Sequence, residues 1–221
     1  MKVLGLSSAT KIISFGLLDG ERIVAEATIA ETRAETIMPL LAQAGVLPEQ
    51  LDAIAVCQGP GSYSGLRGGL ATAKALAQTL DKPLVGVSTL DAIAFNLVDI
   101  EGTMAVILDA RGDEYNFALF GASGGQLKRL TADLALKLAV IKERLLAITG
   151  ELWLVGNLDK MRDEECGMRN NIHLADELQC HPYGVNVARL GALKLQAGEK
   201  ADPLNLVPDY SHQPNIREFR A

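Results

Sequence analysis

Residues 53–69 read AIAVCQGPGSYSGLRGG, and the rest of the chain can be interpreted outward from them. The first five residues are apolar without alternation, which is typical of a strand buried on both faces in a parallel sheet. A glycine-rich loop follows, and the apolar spacing of residues 66–80 then predicts a helix. A buried strand, a glycine loop and a helix in this order indicate an α/β layered domain.

The glycine loop, residues 58–65, lies where backbone N–H groups and a helix dipole favour an anion, yet three known loop motifs do not fit it. A Walker A loop needs lysine after its last glycine, and Leu66 stands there. A Rossmann fingerprint needs glycine in place of Ser64, and a nucleophile elbow needs serine in place of Tyr63. A tight turn whose glycines serve geometry alone therefore stays open beside an anion-binding loop.

The two halves of the chain repeat one order of turn signals and apolar runs. Asp19-Gly20 and Gly124-Gly125 each predict a hairpin, and these turns lie about 105 residues apart. We therefore predict two lobes, residues 1–102 and 103–221, each with a mixed five-stranded sheet and flanking helices. A helix is expected over residues 32–45, and the proline-rich segment from residue 201 onward is expected to be an irregular tail.

The composition limits the class of protein. With 48% apolar and 22% charged residues, the 221-residue chain is globular rather than disordered. Its formal net charge of −6, without a run of basic residues, argues against unaided nucleic-acid binding. Cys57, Cys166 and Cys180 form no C-x-x-C pair, and the N-terminus has no apolar run long enough for a signal peptide or membrane span. We expect a reduced cytoplasmic protein with no membrane contact.

Other groups carry weaker signals. His173, Cys180 and His181 fit no zinc spacing and lack a fourth ligand, so no metal site is predicted. Asp109 follows a predicted strand, where it either pairs with Arg111 at the mouth of a cleft between the lobes or caps the strand end. Both interpretations stay open at this stage.

Residues 53–77, 83–92 and 108–115 resemble the TsaB family, also called YeaZ, and the similarity covers most of residues 1–120. The resemblance implies a duplicated actin-like fold of the RNase H-like, or ASKHA, class. It also implies a non-catalytic subunit that the synthase subunit TsaD needs to form threonylcarbamoyladenosine beside the anticodon of tRNA. A TsaE-type ATPase is a further implied partner. The isolated chain is expected to bind no cofactor, with ATP, magnesium and tRNA engaged only in the assembled complex.

The chain departs from the family and its catalytic relatives at several positions. Ser7 stands where the first strand of actin-like domains usually ends in a metal-directing aspartate, and residues 32–45 contain no His-x-x-x-His pair. The usual His-Ser-Glu reads Arg-Ala-Glu at residues 33–35, and the usual Tyr-Leu-Arg reads Tyr-Ser-His at residues 210–212. Ser7 and the missing histidine pair favour a non-catalytic subunit over the alternative, an active actin-like kinase or ATPase that holds phosphate in the glycine loop.

The helix after the glycine loop carries small residues at every fourth position from Gly65 to Ala77. We predict that this stripe lies on the outer face of the helix, although packing inside the lobe uses part of the surface. The resemblance implies pairing through this helix and the one over residues 32–45, with TsaD and, for the isolated chain, in a homodimer. The interface candidates are Ile37, Leu40, Leu41, Leu66, Arg67, Gly69, Leu70, Ala73, Lys74 and Ala77. The candidates for a nucleotide or interface loop are Gly59, Gly61, Ser62, Gly65, Asp109 and Arg111.

Overall fold

The computed structural model describes residues 1–30, 33–110, 112–159 and 169–211. Its first sheet has the order β3-β2-β1-β4-β5, in which β1, β2 and β3 are antiparallel and β4 and β5 continue parallel to β1. The strands are β1 (Lys2–Ser7), β2 (Ile13–Asp19), β3 (Arg22–Ile29), β4 (Ala53–Gly59) and β5 (Leu84–Ser88). This is the mixed five-stranded sheet that the sequence predicts.

The second sheet is larger than predicted. Its order is β11-β10-β6-β7-β8, and β9 also pairs with β7. The strands are β6 (Gly102–Asp109), β7 (Glu114–Ser123), β8 (Gln126–Arg129), β9 (Leu134–Lys137), β10 (Leu152–Gly156) and β11 (Ile172–Leu174). Apolar spacing in the sequence predicts a helix that is capped by Asp133 and runs to Ile148. The structure instead has a strand over Leu134–Lys137, in which Leu134 and Leu136 alternate, and the helix begins only at Leu138.

The described helices flank these sheets, and none of them is long and apolar enough to cross a membrane. They are α1 (Ile37–Gln43), α2 (Tyr63–Leu80), α3 (Thr89–Ala94), α4 (Leu138–Leu146) and α5 (Gly184–Gln196). A 3-10 turn, Ala34–Thr36, precedes α1, so this helix is shorter than predicted. Pro39 lies in its first turn, where a missing N–H leaves no helical hydrogen bond unmade.

Helix α5 comes from the second half of the chain but packs on the first sheet. A Cβ atom on Gly5 of β1 would lie 2.1 Å from the Gly184 carbonyl oxygen and 2.3 Å from the Ala188 nitrogen. In exchange, Leu90 and Ile93 of α3 pack in the core of the second sheet. The predicted boundary near residue 102 therefore separates the two sheets but not the helices that cover them.

The segment after α5 also belongs to the first sheet rather than to the second lobe. Ala201 bridges Leu84 of the edge strand β5, and Leu206 packs against the core of the first sheet. Tyr210 packs against the cluster on the other face of that sheet. The segment has little regular secondary structure, as predicted, but residues 201–210 are packed along the first lobe.

Candidate functional site

A cleft of about 480 Å³ lies between the lobes. Three of the loop candidates, Gly61, Ser62 and Asp109, line it, whereas Gly59 and Gly65 are absent from its lining. Arg111 lies outside the described residues, and so does its pairing with Asp109, one of the two interpretations that the sequence left open. The backbone N–H of Asp109 donates to the side-chain oxygen of Asn157, 3.0 Å away, which joins the ends of β6 and β10 at the cleft.

The loop glycines allow close backbone contact with the turn between β1 and β2. A Cβ atom on Gly61 would lie 2.2 Å from the Ala9 carbonyl oxygen, and one on Gly65 would lie 2.0 Å from that of Ser8. The Ser62 N–H donates to the Ala9 carbonyl at 2.7 Å, and the Ser8 hydroxyl donates to the Gly65 carbonyl at 2.8 Å. This geometry supports the tight-turn interpretation, and it leaves the Ser62 amide unavailable to an anion.

The lining of the cleft has more acidic than basic groups. In the part of the chain that the structure describes, Lys11 contributes the one lysine of the lining, whereas Asp109, Asp159 and Glu177 contribute carboxylates. A polyphosphate placed there would meet more negative than positive charge. Binding of such a group requires added cations or the positive charge of another chain.

Ser7 ends β1 in a buried cluster of uncharged side chains. Its neighbours at the ends of β4 and β5 are Cys57 and Thr89, and all three residues are buried. Burial raises the pKa of the Cys57 thiol to about 12, although the hydroxyls of Ser7 and Thr89 partly offset this rise. The cluster therefore holds no charge at neutral pH with which to direct a metal ion.

We expect a Ser7→Asp variant to be destabilised increasingly as the pH rises. Burial raises the pKa of the new carboxyl above its unfolded value near 3.9, so unfolding releases a proton from it between these two pKa values. The loss of unfolding free energy relative to wild type should be about 2 kcal/mol larger at pH 7 than at pH 4. Urea unfolding at both pH values measures this difference.

The matched control for this variant is Ser7→Asn, which has nearly the same size but does not titrate. Its difference from wild type should be equal at the two pH values. A Ser7→Asp protein as stable as Ser7→Asn at pH 7 would show that the position is open to solvent or to a cation.

Of the three residues considered as metal ligands, Cys180 and His181 line the cleft and His173 does not. His173 contacts Glu151 at 2.6 Å and stacks on Trp153, while Cys180 and His181 lie by the cleft. Among the described residues, no group of three or more His, Cys, Asp or Glu side chains is arranged to hold a metal ion.

The small-residue stripe of α2 faces inward, contrary to the prediction from its spacing. Gly69 is buried, and a Cβ atom there would lie 2.2 Å from the Ser8 hydroxyl oxygen. The buried interface candidates are Ile37, Leu41, Leu66, Gly69, Leu70, Ala73 and Ala77. Of the remaining candidates, Leu40 and Lys74 are partly exposed and Arg67 is exposed. The stripe lets α2 approach its own sheet, so it does not offer a surface to another chain.

The exposed side of α2 instead carries an aromatic and cationic cluster that sequence spacing does not reveal. The Arg67 guanidinium lies 4.2 Å from the centre of the Tyr63 ring, and its Nε donates to the Tyr210 hydroxyl at 3.1 Å. The two tyrosine rings stack with centres 5.2 Å apart. About two turns further along α2, Lys74 Nζ donates to the Leu204 carbonyl at 3.5 Å. The outer surface of α2 is therefore shared with the C-terminal segment.

Comparison with known proteins gives consistent relatives. Residues 24–150 match the family model described as TsaD, tRNA N6-adenosine threonylcarbamoyltransferase. The chain is 31% identical over 220 residues to the tRNA threonylcarbamoyladenosine biosynthesis protein TsaB of Bacillus subtilis, which covers 95% of this chain and 93% of that protein.

Two further relatives differ in how much of the chain they match. The tRNA N6-adenosine threonylcarbamoyltransferase of Novosphingobium aromaticivorans is 37% identical over 101 residues, or 46% of this chain and 26% of that protein. The structure of YeaZ from Pseudomonas aeruginosa superposes with a TM-score of 0.77 at 23% identity and covers 95% of this chain and 100% of that one. The structural match shows the same fold, whereas the transferase matches only part of the chain.

Proposed function

This chain belongs to the TsaB (YeaZ) family, and its role lies in threonylcarbamoyladenosine biosynthesis; we propose that it acts there as a non-catalytic partner of a TsaD-type subunit. The observation that carries the proposal is the uncharged, buried cluster around Ser7. Actin-like domains usually carry a metal-directing aspartate at the end of this strand, and a serine hydroxyl supplies no charge.

The cleft supports the same proposal. Its lining holds more carboxylates than cations, so polyphosphate binding there is unfavourable in the isolated chain. ATP with magnesium would bind only when a TsaD-type partner, a TsaE-type ATPase or both supply further groups. With its net charge of −6, the chain would contact tRNA through the complex rather than alone.

The partner surface that we propose is the exposed side of α1 and α2. It includes Arg67, the partly exposed Leu40 and Lys74, and the exposed side chains of Met38 and Ala71. Two helices that present such a side can pair with two helices of another chain, and a self-complementary surface also forms a closed homodimer when the partner is absent. This arrangement uses the outer side of the two helices and leaves the buried stripe in the core.

The alternative is an actin-like kinase or ATPase that uses the cleft alone. An ATP turnover assay on the isolated chain separates the two functions. Turnover that disappeared in a Lys11→Ala variant would establish the alternative, because Lys11 contributes the one lysine among the described residues that line the cleft.

We expect Ala71→Glu to abolish pairing with a TsaD-type subunit from the same source while the chain remains folded. Ala71 is exposed on α2, so a bulky charge there would be buried without a partner in the complex. The expected loss is at least about 2 kcal/mol of binding free energy, measured by calorimetric titration and co-elution from a sizing column.

Ala139→Glu makes the same chemical change on the exposed side of α4 and should leave pairing intact. Thermal unfolding of both variants should match wild type. Wild-type co-elution of the Ala71→Glu chain would place the partner surface elsewhere, and failure of the wild-type chain to pair would contradict the partner role itself.

A further inference from the structure

The C-terminal strap, residues 201–210, runs along one side of the first lobe. At its start, the Ala201 N–H donates to the Leu84 carbonyl at 2.8 Å. In its middle, the partly buried Leu206 packs against the core of the first sheet. Near its end, the Asp209 N–H donates to the Gln58 carbonyl at 2.7 Å. The strap therefore runs from the edge of β5 to the beginning of the glycine loop.

The far end of the strap is held by α2. Tyr210 stacks on Tyr63, and Arg67 contacts both rings, through its guanidinium face on Tyr63 and through Nε on the Tyr210 hydroxyl. Arg67 is exposed, so these contacts lie where another molecule can reach them. A carboxylate would form a stronger hydrogen bond to this guanidinium than the neutral Tyr210 hydroxyl does.

The glycine loop lies between the strap and the cleft. On the strap side, a Cβ atom on Gly59 would lie 2.0 Å from the Asp209 carbonyl oxygen, and the backbone there has a φ of 137°. On the cleft side, the Ser62 N–H donates to the Ala9 carbonyl, and Ser62 lines the cleft. Only Pro60 and Gly61 separate Gly59 from Ser62, so a shift of the strap acts on a very short segment that is fixed at both ends.

We propose that the strap is a conformational latch, which Arg67 holds against the glycine loop. A partner whose carboxylate binds the Arg67 guanidinium would release the strap and loosen the part of the loop that lines the cleft. The end of the strap has two states, docked and undocked. The backbone hydrogen bonds that the Asp209 and Ser62 amides donate report which state is present. The latch is a property of the chain alone. It links the exposed side of α2 to the cleft whether or not a TsaD-type subunit is the partner.

The test is amide hydrogen exchange, resolved by residue, in the isolated full chain. In Arg67→Ala, exchange at the Asp209 amide should accelerate by about tenfold and exchange at Ser62 by at least about threefold. The Ile54 amide, which donates to the Pro83 carbonyl at the base of β4, should be unchanged because it reports the stability of the first sheet. In Tyr210→Phe, which keeps the ring stack but loses the hydroxyl, both accelerations should be smaller.

The matched control is Arg22→Ala, which removes an exposed arginine from β3 at the opposite edge of the first sheet and should change neither reporter. Unchanged exchange at Asp209 in Arg67→Ala would show that Arg67 is not the latch. Faster exchange at Asp209 with unchanged Ser62 would overturn the link to the cleft. Equal acceleration at Ile54 would assign Arg67 to global stability and also overturn the proposal. Since no partner is present, none of these results bears on pairing with TsaD.

Discussion

A Gly5→Val variant should lose at least about 3 kcal/mol of unfolding free energy, because α5 can no longer lie flat on the first sheet. The new Cβ atom would lie 2.1 Å from the Gly184 carbonyl oxygen and 2.3 Å from the Ala188 nitrogen, and both are backbone atoms of α5. A backbone cannot turn aside as the end of a long side chain can, so the whole helix must move. Urea unfolding followed by circular dichroism measures the loss.

Gly150→Val is the matched control, since a Cβ atom on Gly150 would meet nothing within 4 Å. It should change the unfolding free energy by less than about 0.5 kcal/mol. If Gly5→Val unfolded at the wild-type urea concentration, α5 would not be docked on β1, and the first sheet would have to be covered in another way.

Gly69→Leu is expected to cost at least about 3 kcal/mol of unfolding free energy. The first atom of the new side chain would lie 2.2 Å from the hydroxyl oxygen of Ser8, a buried residue whose hydroxyl also donates to the Gly65 carbonyl. Either Ser8 gives up this bond or α2 moves away from the sheet. The same urea unfolding experiment measures the loss, and pairing with a partner is not needed to see it.

Ala71→Leu, two positions along α2 on its exposed side, is the matched control and should leave the unfolding free energy nearly unchanged. The sequence pattern alone predicts the opposite for Gly69, namely a folded monomer that fails to pair. A stable Gly69→Leu chain that had lost its partner would restore that interpretation and place the stripe on the outer surface.

Local signals predict the first sheet and the elements around the glycine loop well. The unbroken apolar run from Ala53 to Cys57 predicts a buried strand, and Asp19-Gly20 predicts a hairpin turn. Both signals lie within a few residues, and the structure has both elements. Spacing also identifies the small-residue face of α2. It does not state which neighbour that face meets, because a close approach to a sheet and a close approach to another helix demand the same small residues.

Contacts between distant parts of the chain have no such signal. Arg67 and Tyr210 lie 143 residues apart, and the sequence around either residue does not predict the contact with the other. The same holds for Gly5 and Gly184. The need for glycine at these two positions follows only from the close packing of α5 on the first sheet. In the cleft, Gly61, Ser62 and Asp109 stood out by sequence, whereas Lys11 and Asn157 reach it only through the arrangement of the two lobes.

The docking of α5 on the first sheet also sets the order in which the nascent chain can mature. When the ribosome has added residue 102, all five strands of the first sheet have been synthesised, but α5 has not. The side of β1 and β2 that carries Val3 and Leu18 is then bare to water, because Val187 of α5 has not yet been added to cover it. Such an incomplete lobe exposes apolar surface, which favours binding to chaperones or aggregation with other copies of the chain. The surface is buried only after Gln196, the last residue of α5, has left the exit tunnel.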